Sequence, residues 1–450
     1  MKLGMISLGC AKNLVDTEAM LGLMQEDGWE LTAEPADADI LIVNTCAFIE
    51  TAKEESITTV IGLADYKDSG KCRGLILAGC LAERYGEELL KELPEVDVVV
   101  GTGAWHRIAE AVSFALRGER VAMTGDDGVL YDANTPRVRT TPDYTAYVKI
   151  AEGCDHACAF CAIPLIRGKY RSRKIEDIVK EVENLAEAGV KEINLIAQDT
   201  TNYGRDIYGD FSLAKLLKEL VKIEKVEWIR VLYSYPKHFT DELIEVFKTE
   251  PKILKYVDLP LQHVDNGILR AMGRPDTRES VHELLEKLRK NIPDITIRTT
   301  FLVGFPGETE EAFQNLCDFV KEERFDKAGV FPFSKEEGTR AATMENQIAS
   351  EIKEERYHKL MSIQSKISEE KNEAIEGKVI SVLVEDLNEA ENVAVGRSYR
   401  EAPEVDGSVY IENAGDLKPG DMRNVKILQG FVYDVVGELV MENNSYETNQ

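Results

Sequence analysis

Residues 152–164 read EGCDHACAFCAIP and contain three cysteines, Cys154, Cys158 and Cys161. On a helix this spacing would line one face, and the thiols would be small core residues. Gly153 and Pro164 bracket the run and favour a tight loop instead. Zinc usually takes four ligands that close around it. Three thiolates in one loop instead fit three corners of a [4Fe–4S] cluster. Its fourth iron would then be open to chelate a substrate or cofactor.

Strand and helix patterns alternate around this loop, from residue 141 to 345. Six strand-like runs, the first of them directly before the loop, are separated by amphipathic helices. Six such units without a seventh and eighth predict an α/β domain with an incomplete (βα)6 barrel, open on one side. Chemistry in such barrels lies at the carboxyl ends of the strands, so we expect the cysteine loop on the active face.

Two further features of this region are candidates for ligand contacts. The run 167–174 holds five cations in eight residues. It has two interpretations, a contact with a carboxylate or phosphate of a ligand, or a solvated start of a helix. His263 lies in another loop of the active face, and we interpret it as a structural or pocket-lining residue rather than an acid–base catalyst.

Residues 1–140 are predicted to form a separate parallel-sheet α/β domain. Three of its strand-like runs end in a cysteine, namely Cys10, Cys46 and Cys80. The carboxyl ends of parallel strands share one edge of a sheet, so these thiols are expected to converge. We interpret them as the ligands of a second three-thiolate [4Fe–4S] cluster. The alternative is that they are small buried residues.

The region after the barrel predicts a helix followed by a small β domain. Residues 346–375 read as a charged helical linker, 376–441 as a small antiparallel β-barrel, and 442–450 as a tail. Residues 376–441 hold six basic and 13 acidic side chains. A small barrel that binds RNA should be basic, so this one is better suited to a basic protein. A Pro/Arg/Thr-rich run, 135–142, reads as the linker between the first two domains.

Composition and net charge restrict the class of protein. The length of 450 residues suggests about three domains. The hydrophobic fraction of 44% is enough for each to form a folded core. The first residues lack a signal-peptide pattern and no apolar run approaches the roughly 20 residues of a membrane helix, so we expect a cytoplasmic protein without membrane contact. The eight cysteines are then metal ligands or buried thiols rather than disulfides. Cys72 and Cys317 are interpreted as non-ligands.

The net charge of −27 opposes a polyanionic partner and favours a cationic one. Direct binding of tRNA is therefore disfavoured, although a local basic patch could override the global charge. A basic protein is the partner that this charge predicts.

The order of these parts resembles the radical S-adenosylmethionine (SAM) methylthiotransferase family from end to end. The resemblance rests on SLGC, NTC and AGC in the first domain, CDHACAFC in the barrel, and a last barrel of the TRAM type. Within that family, CAIPLIRGKYRSR and VDLPLQHVDNGILRAMGRPD are most similar to the branch that modifies a ribosomal protein. A sister branch (MiaB-like) modifies an adenosine in tRNA and is the close alternative.

The resemblance implies that a β-methylthio group is placed on an aspartate of small-subunit ribosomal protein twelve, a very basic protein. It implies SAM as cofactor, two [4Fe–4S] clusters and a low-potential electron donor. The barrel cluster would cleave SAM to a radical that abstracts hydrogen from the substrate, because polar side chains cannot break an unactivated C–H bond. The cluster of the first domain would deliver the sulfur. Phe160, beside the last barrel ligand, and Gln198, at the end of the second strand, are predicted SAM contacts.

Two other hypotheses are kept. A tRNA methylthiotransferase would leave modified RNA and bind it with a steep salt dependence. An iron–sulfur scaffold or electron-transfer module would need no SAM pocket.

Overall fold

The first part of the chain forms a six-stranded sheet in the computed structural model, which describes residues 1–125 and 128–440. Its strands are β1 Lys2–Ser7, β2 Glu30–Thr32, β3 Ile40–Thr45, β4 Gly74–Gly79, β5 Val98–Val100 and β6 Val121–Met123. Its helices are α1 Ala11–Glu26, α2 Glu50–Ser69, α3 Cys80–Glu92 and α4 Ile108–Leu116. The order is β2-β1-β3-β4-β5-β6, with parallel pairing throughout. Strands β3 and β4 are buried at every residue, as expected for a parallel sheet covered on both faces. The predicted parallel α/β fold is confirmed.

The second part of the chain contains six parallel strands and one short antiparallel pair. The strands are β7 Thr145–Lys149, β8 Ala151–Glu152, β9 Arg171–Ser172, β10 Glu192–Ile196, β11 Trp228–Val231, β12 Tyr256–Gln262, β13 Thr296–Val303 and β14 Lys327–Pro332. The helices are α5 Ile163–Arg167, α6 Ile175–Glu187, α7 Arg205–Tyr208, α8 Leu213–Leu220, α9 Asp241–Thr249, α10 Asn266–Ala271, α11 Arg278–Asn291 and α12 Glu310–Glu323.

These six parallel strands form the predicted incomplete barrel, but in two halves. One sheet has the order β11-β10-β7 and the other β12-β13-β14. At the seam between β11 and β12, the N–H of Tyr233 donates to the carboxylate of Asp258 at 3.0 Å, and the N–H of Ser234 to its carbonyl at 2.9 Å. A few hydrogen bonds from loop residues thus replace a continuous ladder at this point.

The last part of the chain is a closed five-stranded barrel. Helix α13 Ser350–Glu373 leads into β15 Val379–Asn388, β16 Val393–Ser398, β17 Val409–Glu412, β18 Met422–Gly430 and β19 Val435–Leu439. The order around the barrel is β15-β16-β17-β19-β18. Four pairings are antiparallel, as predicted, but β17 and β19 run parallel. A closed ring with an odd number of strands cannot alternate direction throughout, so one pair must run the same way. The tail predicted for 442–450 lies outside the described residues.

Helix α13 braces the (βα)6 barrel through a face that is mostly polar. Five of its six buried residues recur every four positions, at Arg356, Leu360, Gln364, Ser368 and Asn372, and the sixth is Ile367. The side chain of Gln364 donates to the carbonyl of Phe325 at 2.9 Å.

Among the described residues, no helix is both long and apolar enough to cross a lipid bilayer.

The last barrel packs against the end of the (βα)6 barrel at which the strands begin. Glu192 opens β10 and is fully buried, with its carboxylate 2.6 Å from Arg397 of β16 and 3.2 Å from Arg230 of β11. Tyr256 opens β12, and its hydroxyl donates to Asp406 at 2.6 Å. The cysteine loop follows the other end of β7, so the two barrels meet on the side away from the cysteine loop.

The segment 135–142 is packed between the first two domains, although its composition predicts a linker. Arg137 is nearly buried and binds Glu18 of α1 at 2.6 Å and Glu181 of α6 at 2.9 Å. One side chain thus ties each domain to the segment. An exposed linker would leave the charge of Arg137 in solvent, but here it is used in these two ion pairs.

Candidate functional site

The three cysteines after β7 lie together beside a cavity of about 490 Å³. Cys154 and Cys158 line it directly. Burial raises the pKa of Cys154 and of Cys161 to about 12, with smaller contributions from the charges of the neighbouring cysteines. These two thiols are therefore protonated at neutral pH, and binding of a metal would release their protons.

The neck of this loop is closed by a short contact between its two ends. The N–H of Cys154 donates to the carbonyl of Gly168 at 3.1 Å. Gly153 has φ +79°, and a Cβ there would fall 2.0 Å from the carbonyl oxygen of Lys169. Only glycine fits this position, which is the tight turn that the sequence predicts before the first cysteine.

Beside the loop, one carboxylate holds two histidines. Asp199 follows β10 and contacts the ring nitrogens of His156 at 2.7 Å and His238 at 2.9 Å. Burial opposes ionisation of Asp199, but the two imidazoles outweigh it and lower its pKa. The ring of Tyr235 stacks on His156 with centroids 4.0 Å apart. Sequence reasoning missed this group, because its members come from three separate loops.

Several buried polar atoms on the loops after β10 and β11 have no hydrogen-bond partner within the described chain. They are Gln198 Oε1, Asn202 Oδ1, Ser234 Oγ and the hydroxyl of Tyr235. Buried polar atoms are nearly always paired in folded proteins, so this concentration fits a ligand with several donors and acceptors. Three thiols that lie together, next to such atoms, fit a metal cluster with a polar organic ligand.

The two predicted SAM contacts differ in their surroundings. The amide nitrogen of Gln198 donates to Glu152 at 3.2 Å, which leaves its oxygen available. Phe160 packs against an apolar cluster that includes Ala159 and Phe305.

His263 is fully buried, and its Nδ1 accepts from the N–H of Asp265 at 3.0 Å. Its Nε2 lies 3.6 Å from the carboxylate of Glu308 and has no hydrogen-bond partner within the described residues, so only the contact at Nδ1 supports a structural role for His263.

The three cysteines of the first domain also converge at one edge of the sheet. Cys10 directly precedes α1, Cys46 follows β3, and Cys80 begins α3. A Cβ placed on Gly9, which has φ +88°, would lie 3.1 Å from Cys46 Sγ. Burial raises the pKa of Cys80 to about 12, and the charges of the other two cysteines act in the same direction.

Cys10 differs from its neighbours, because its thiol ionises more readily, and the residue as a whole is exposed. The protein around the thiol displaces water and so opposes ionisation, but the charges of Lys12 and Arg167 outweigh this effect and lower the pKa of Cys10. Cys72 and Cys317 are both buried away from these groups. Cys72 donates to the carbonyl of Gly74 at 3.3 Å, as expected for a core thiol.

Asn13 on α1 connects the chain segments that carry this second group of cysteines. Its Nδ2 donates to the carbonyl of Leu8 at 3.0 Å and to that of Thr45 at 2.8 Å. These residues lie one or two positions before the first two cysteines. The thiol of Cys80 lies 3.4 Å from Asn13 Oδ1. One amide therefore orders all three segments.

The basic run 167–174 is used mainly within the protein. Arg167 and Arg173 are buried, so the solvated interpretation is wrong for both. Arg173 binds Asp177 at 2.7 Å and Glu181 at 2.5 Å. Of the five cations of this run, Lys169 is the one among the described residues that line the cavity beside the cysteine loop, and it remains a candidate for a ligand carboxylate.

Three family profiles match successive parts of the chain. They are the Radical SAM superfamily over residues 148–320, the uncharacterized protein family UPF0004 over 2–101, and the TRAM domain over 377–440. Among solved structures, the radical SAM methyltransferase TsrM from Kitasatospora setae is similar, with a TM-score of 0.54 and 14% identity over 74% of this chain and 72% of that one. The cobalamin-dependent SAM radical enzyme OxsB has a TM-score of 0.51 and 12% identity, over 81% and 56%. These likenesses concern the fold alone.

The barrel, its cysteine loop and the matching profile define a radical SAM enzyme, a class that uses SAM and a [4Fe–4S] cluster. Full-length relatives narrow the class. A protein of Desulforamulus reducens named "Ribosomal protein uS12 methylthiotransferase RimO" is 54% identical over 97% of this chain and 99% of its own length. Proteins of the same name from Pelotomaculum thermopropionicum and Geobacter sulfurreducens are 50% and 49% identical over 98% of this chain, and over 99% and 98% of their own lengths. The chain belongs to the RimO family of radical SAM methylthiotransferases.

Proposed function

We propose that this chain attaches a methylthio group to the β-carbon of an aspartate in ribosomal protein uS12, the small-subunit protein twelve. The observation that carries the proposal is that one chain holds two separate groups of three thiols. A single group with an open iron suffices to cleave SAM. A second group is needed when sulfur must also be delivered to the substrate. The name shared by the full-length relatives supports the choice of substrate.

Cys154, Cys158 and Cys161 would hold the SAM-cleaving [4Fe–4S] cluster, and Cys10, Cys46 and Cys80 would hold an auxiliary one. When bound, these groups and SAM supply the radical that breaks an unactivated C–H bond and the sulfur that replaces the hydrogen.

The chain's own contribution to SAM binding is to present polar atoms beside the thiols. Gln198 Oε1 is buried and free to accept a hydrogen bond from an amino group, which supports it as a SAM contact. Phe160 lies one residue before the last cysteine of the loop and is proposed as an apolar contact. Lys169 borders the cavity and can attract a carboxylate.

The surface of the last barrel supports a cationic partner. Of its six basic side chains, Arg397 and Arg400 are buried and four reach the solvent; of the 13 acidic residues over 376–441, only Glu401 is a buried residue, which leaves 12. Nucleic-acid binding depends on phosphate neutralisation, so this surface disfavours tRNA and suits a basic ribosomal protein, free or within the small subunit. A low-potential electron donor is the other proposed partner. A cytoplasmic location follows from a ribosomal substrate.

Mass spectrometry of cells that lack the gene tests the proposal. Ribosomal protein uS12 should be lighter by about 46 Da, the mass of a methylthio group in place of hydrogen. Bulk tRNA nucleosides should be unchanged. A loss of methylthioadenosine with intact uS12 would instead assign the chain to the tRNA-modifying activity.

An iron–sulfur scaffold is the competing hypothesis of a different class. Anaerobic reconstitution with iron, sulfide, a reductant and SAM separates the two. Formation of 5′-deoxyadenosine is expected from the enzyme, and its complete absence would support the scaffold.

A further inference from the structure

Arg167 reaches from the loop of one thiol group into the other. It is the last residue of α5, and its side chain is buried. Nη1 lies 2.7 Å from Asp16 of the first domain and 3.1 Å from Glu152 of the barrel. Nη2 donates to Asn13 Oδ1 and lies 3.7 Å from Cys80 Sγ. One guanidinium thus contacts both carboxylates and the second thiol group.

The ion pairs alone do not explain this guanidinium. Lys149 Nζ contacts Asp16 and lies 2.6 Å from Glu152, so two buried cations face two buried carboxylates. The two positive and two negative charges balance, and Arg167 takes part in this balance through Nη1 alone. Its other edge is directed at Asn13 and at the sulfur, a division that the planar guanidinium allows and an ammonium does not.

The role of the contact between Arg167 and the sulfur of Cys80 changes once a metal is bound. A free thiol of Cys80 can donate to Asn13 Oδ1, but a metal-bound thiolate only accepts hydrogen bonds. The amide oxygen then has nothing to offer the sulfur, whereas the N–H groups of Arg167 do. Hydrogen bonds to cluster sulfurs and nearby charge set the reduction potential of an iron–sulfur cluster.

We infer that Arg167 is a positioning residue for the auxiliary cluster, one that donates a hydrogen bond to the sulfur of Cys80 and raises the reduction potential of that cluster. The inference rests on the proposed function, because it requires the auxiliary cluster. The fixed positive charge stabilises the more negative, reduced state. Through Asn13 the same side chain also orders the segments before the other two cysteines, and it does so only when the barrel loop is docked on the first domain.

The test is a redox titration of the auxiliary cluster, followed by electron paramagnetic resonance. It uses the full-length chain with Cys154→Ala, so that the auxiliary cluster gives the signal. Adding Arg167→Gln should shift the midpoint potential to a more negative value. It should also weaken iron binding by about ten- to hundredfold, the usual effect of removing a hydrogen-bonding partner of a metal ligand.

Arg173→Gln in the same background is the matched control. Arg173 is also buried and also holds two carboxylates, but its side chain bonds Asp177 and Glu181. Its replacement should lower stability and leave the potential unchanged. Arg167→Lys retains the charge without the fork and should give an intermediate potential.

Loss of Arg167 leaves one lysine for two buried carboxylates. A second variant therefore corrects this charge imbalance. Asp16→Asn combined with Arg167→Gln restores the charge balance and should show a smaller negative shift, the part that comes from the lost hydrogen bond to the sulfur of Cys80. An unchanged potential in both variants would overturn the inference while the proposed function stands. If the Cys154→Ala parent binds no iron, the auxiliary cluster is absent and the proposed function fails together with the inference.

Discussion

Replacing Glu192 with glutamine should loosen the contact between the two barrels. Glu192 is fully buried between Arg397 and Arg230. Burial alone would raise its pKa, but the two guanidinium groups outweigh burial and lower the pKa from 4.5 to about 2. At about 1.4 kcal/mol per pKa unit, this corresponds to roughly 3 kcal/mol of stability. Removal of one partner from a buried ion pair typically costs about 3–5 kcal/mol, which agrees.

The assay is urea denaturation of wild type and Glu192→Gln at pH 7, with limited proteolysis to follow release of the last barrel. Asp421→Asn is the matched control, because its partner Arg423 lies 3.2 Å away and both side chains are partly open to solvent. That control should change stability by less than about 1 kcal/mol. A Glu192 variant as stable as the control would refute the assignment of this ion pair to domain docking.

The pH dependence of the same variant provides a second check. The pKa of Glu192 is lower in the folded chain than in the unfolded one, so its contribution is complete above about pH 4.5 and is lost as the pH falls towards about 2. The stability difference between wild type and Glu192→Gln should therefore be constant near neutrality and shrink below about pH 4.5. A difference that grows on acidification contradicts this argument.

Three further predictions concern the cysteine groups and the last barrel. Cys46→Ala should keep SAM cleavage and abolish methylthiolation, whereas Cys154→Ala should abolish both; each should lower the iron content from about eight to about four per chain. Gly9→Ala should reduce iron loading, since its Cβ would lie 2.7 Å from Cys46 Cβ, whereas Gly28→Ala, with a similar φ and open space, should not. Equal iron content in the two glycine variants would contradict the packing argument. Deletion of residues 377–440 should weaken binding of uS12, measured by sedimentation, without removing either cluster; unchanged binding would refute that role.

The positions of the cysteines could be predicted because each depends on local pattern. A strand that ends in glycine and cysteine, as at Gly79 and Cys80, places its thiol at a sheet edge whose position follows from parallel topology. The same reasoning gave the six βα units of the barrel and the short strands of the last domain.

The groups around the thiols could not be predicted, because their partners are distant in sequence. Arg167 and Asn13 are 154 positions apart, and Glu192 and Arg397 are 205 apart. Periodicity reports which face of an element is apolar, but not which polar side chain meets another. The mostly polar buried face of α13 illustrates the same limit. Its apolar residues are not uniformly buried either: Leu360 is fully buried, whereas Ile352 is 42% exposed.

The opposite placement of the cysteine loop and the last barrel relates substrate size to turnover. Strands β7 to β14 separate the two ends, and at about 3.3 Å per residue a strand of six residues spans roughly 20 Å. A short peptide with the target aspartate could enter beside the thiols without reaching the far end, whereas a folded protein could contact both. Truncating the substrate should therefore abolish any benefit of the last barrel and leave the reaction at the thiols intact.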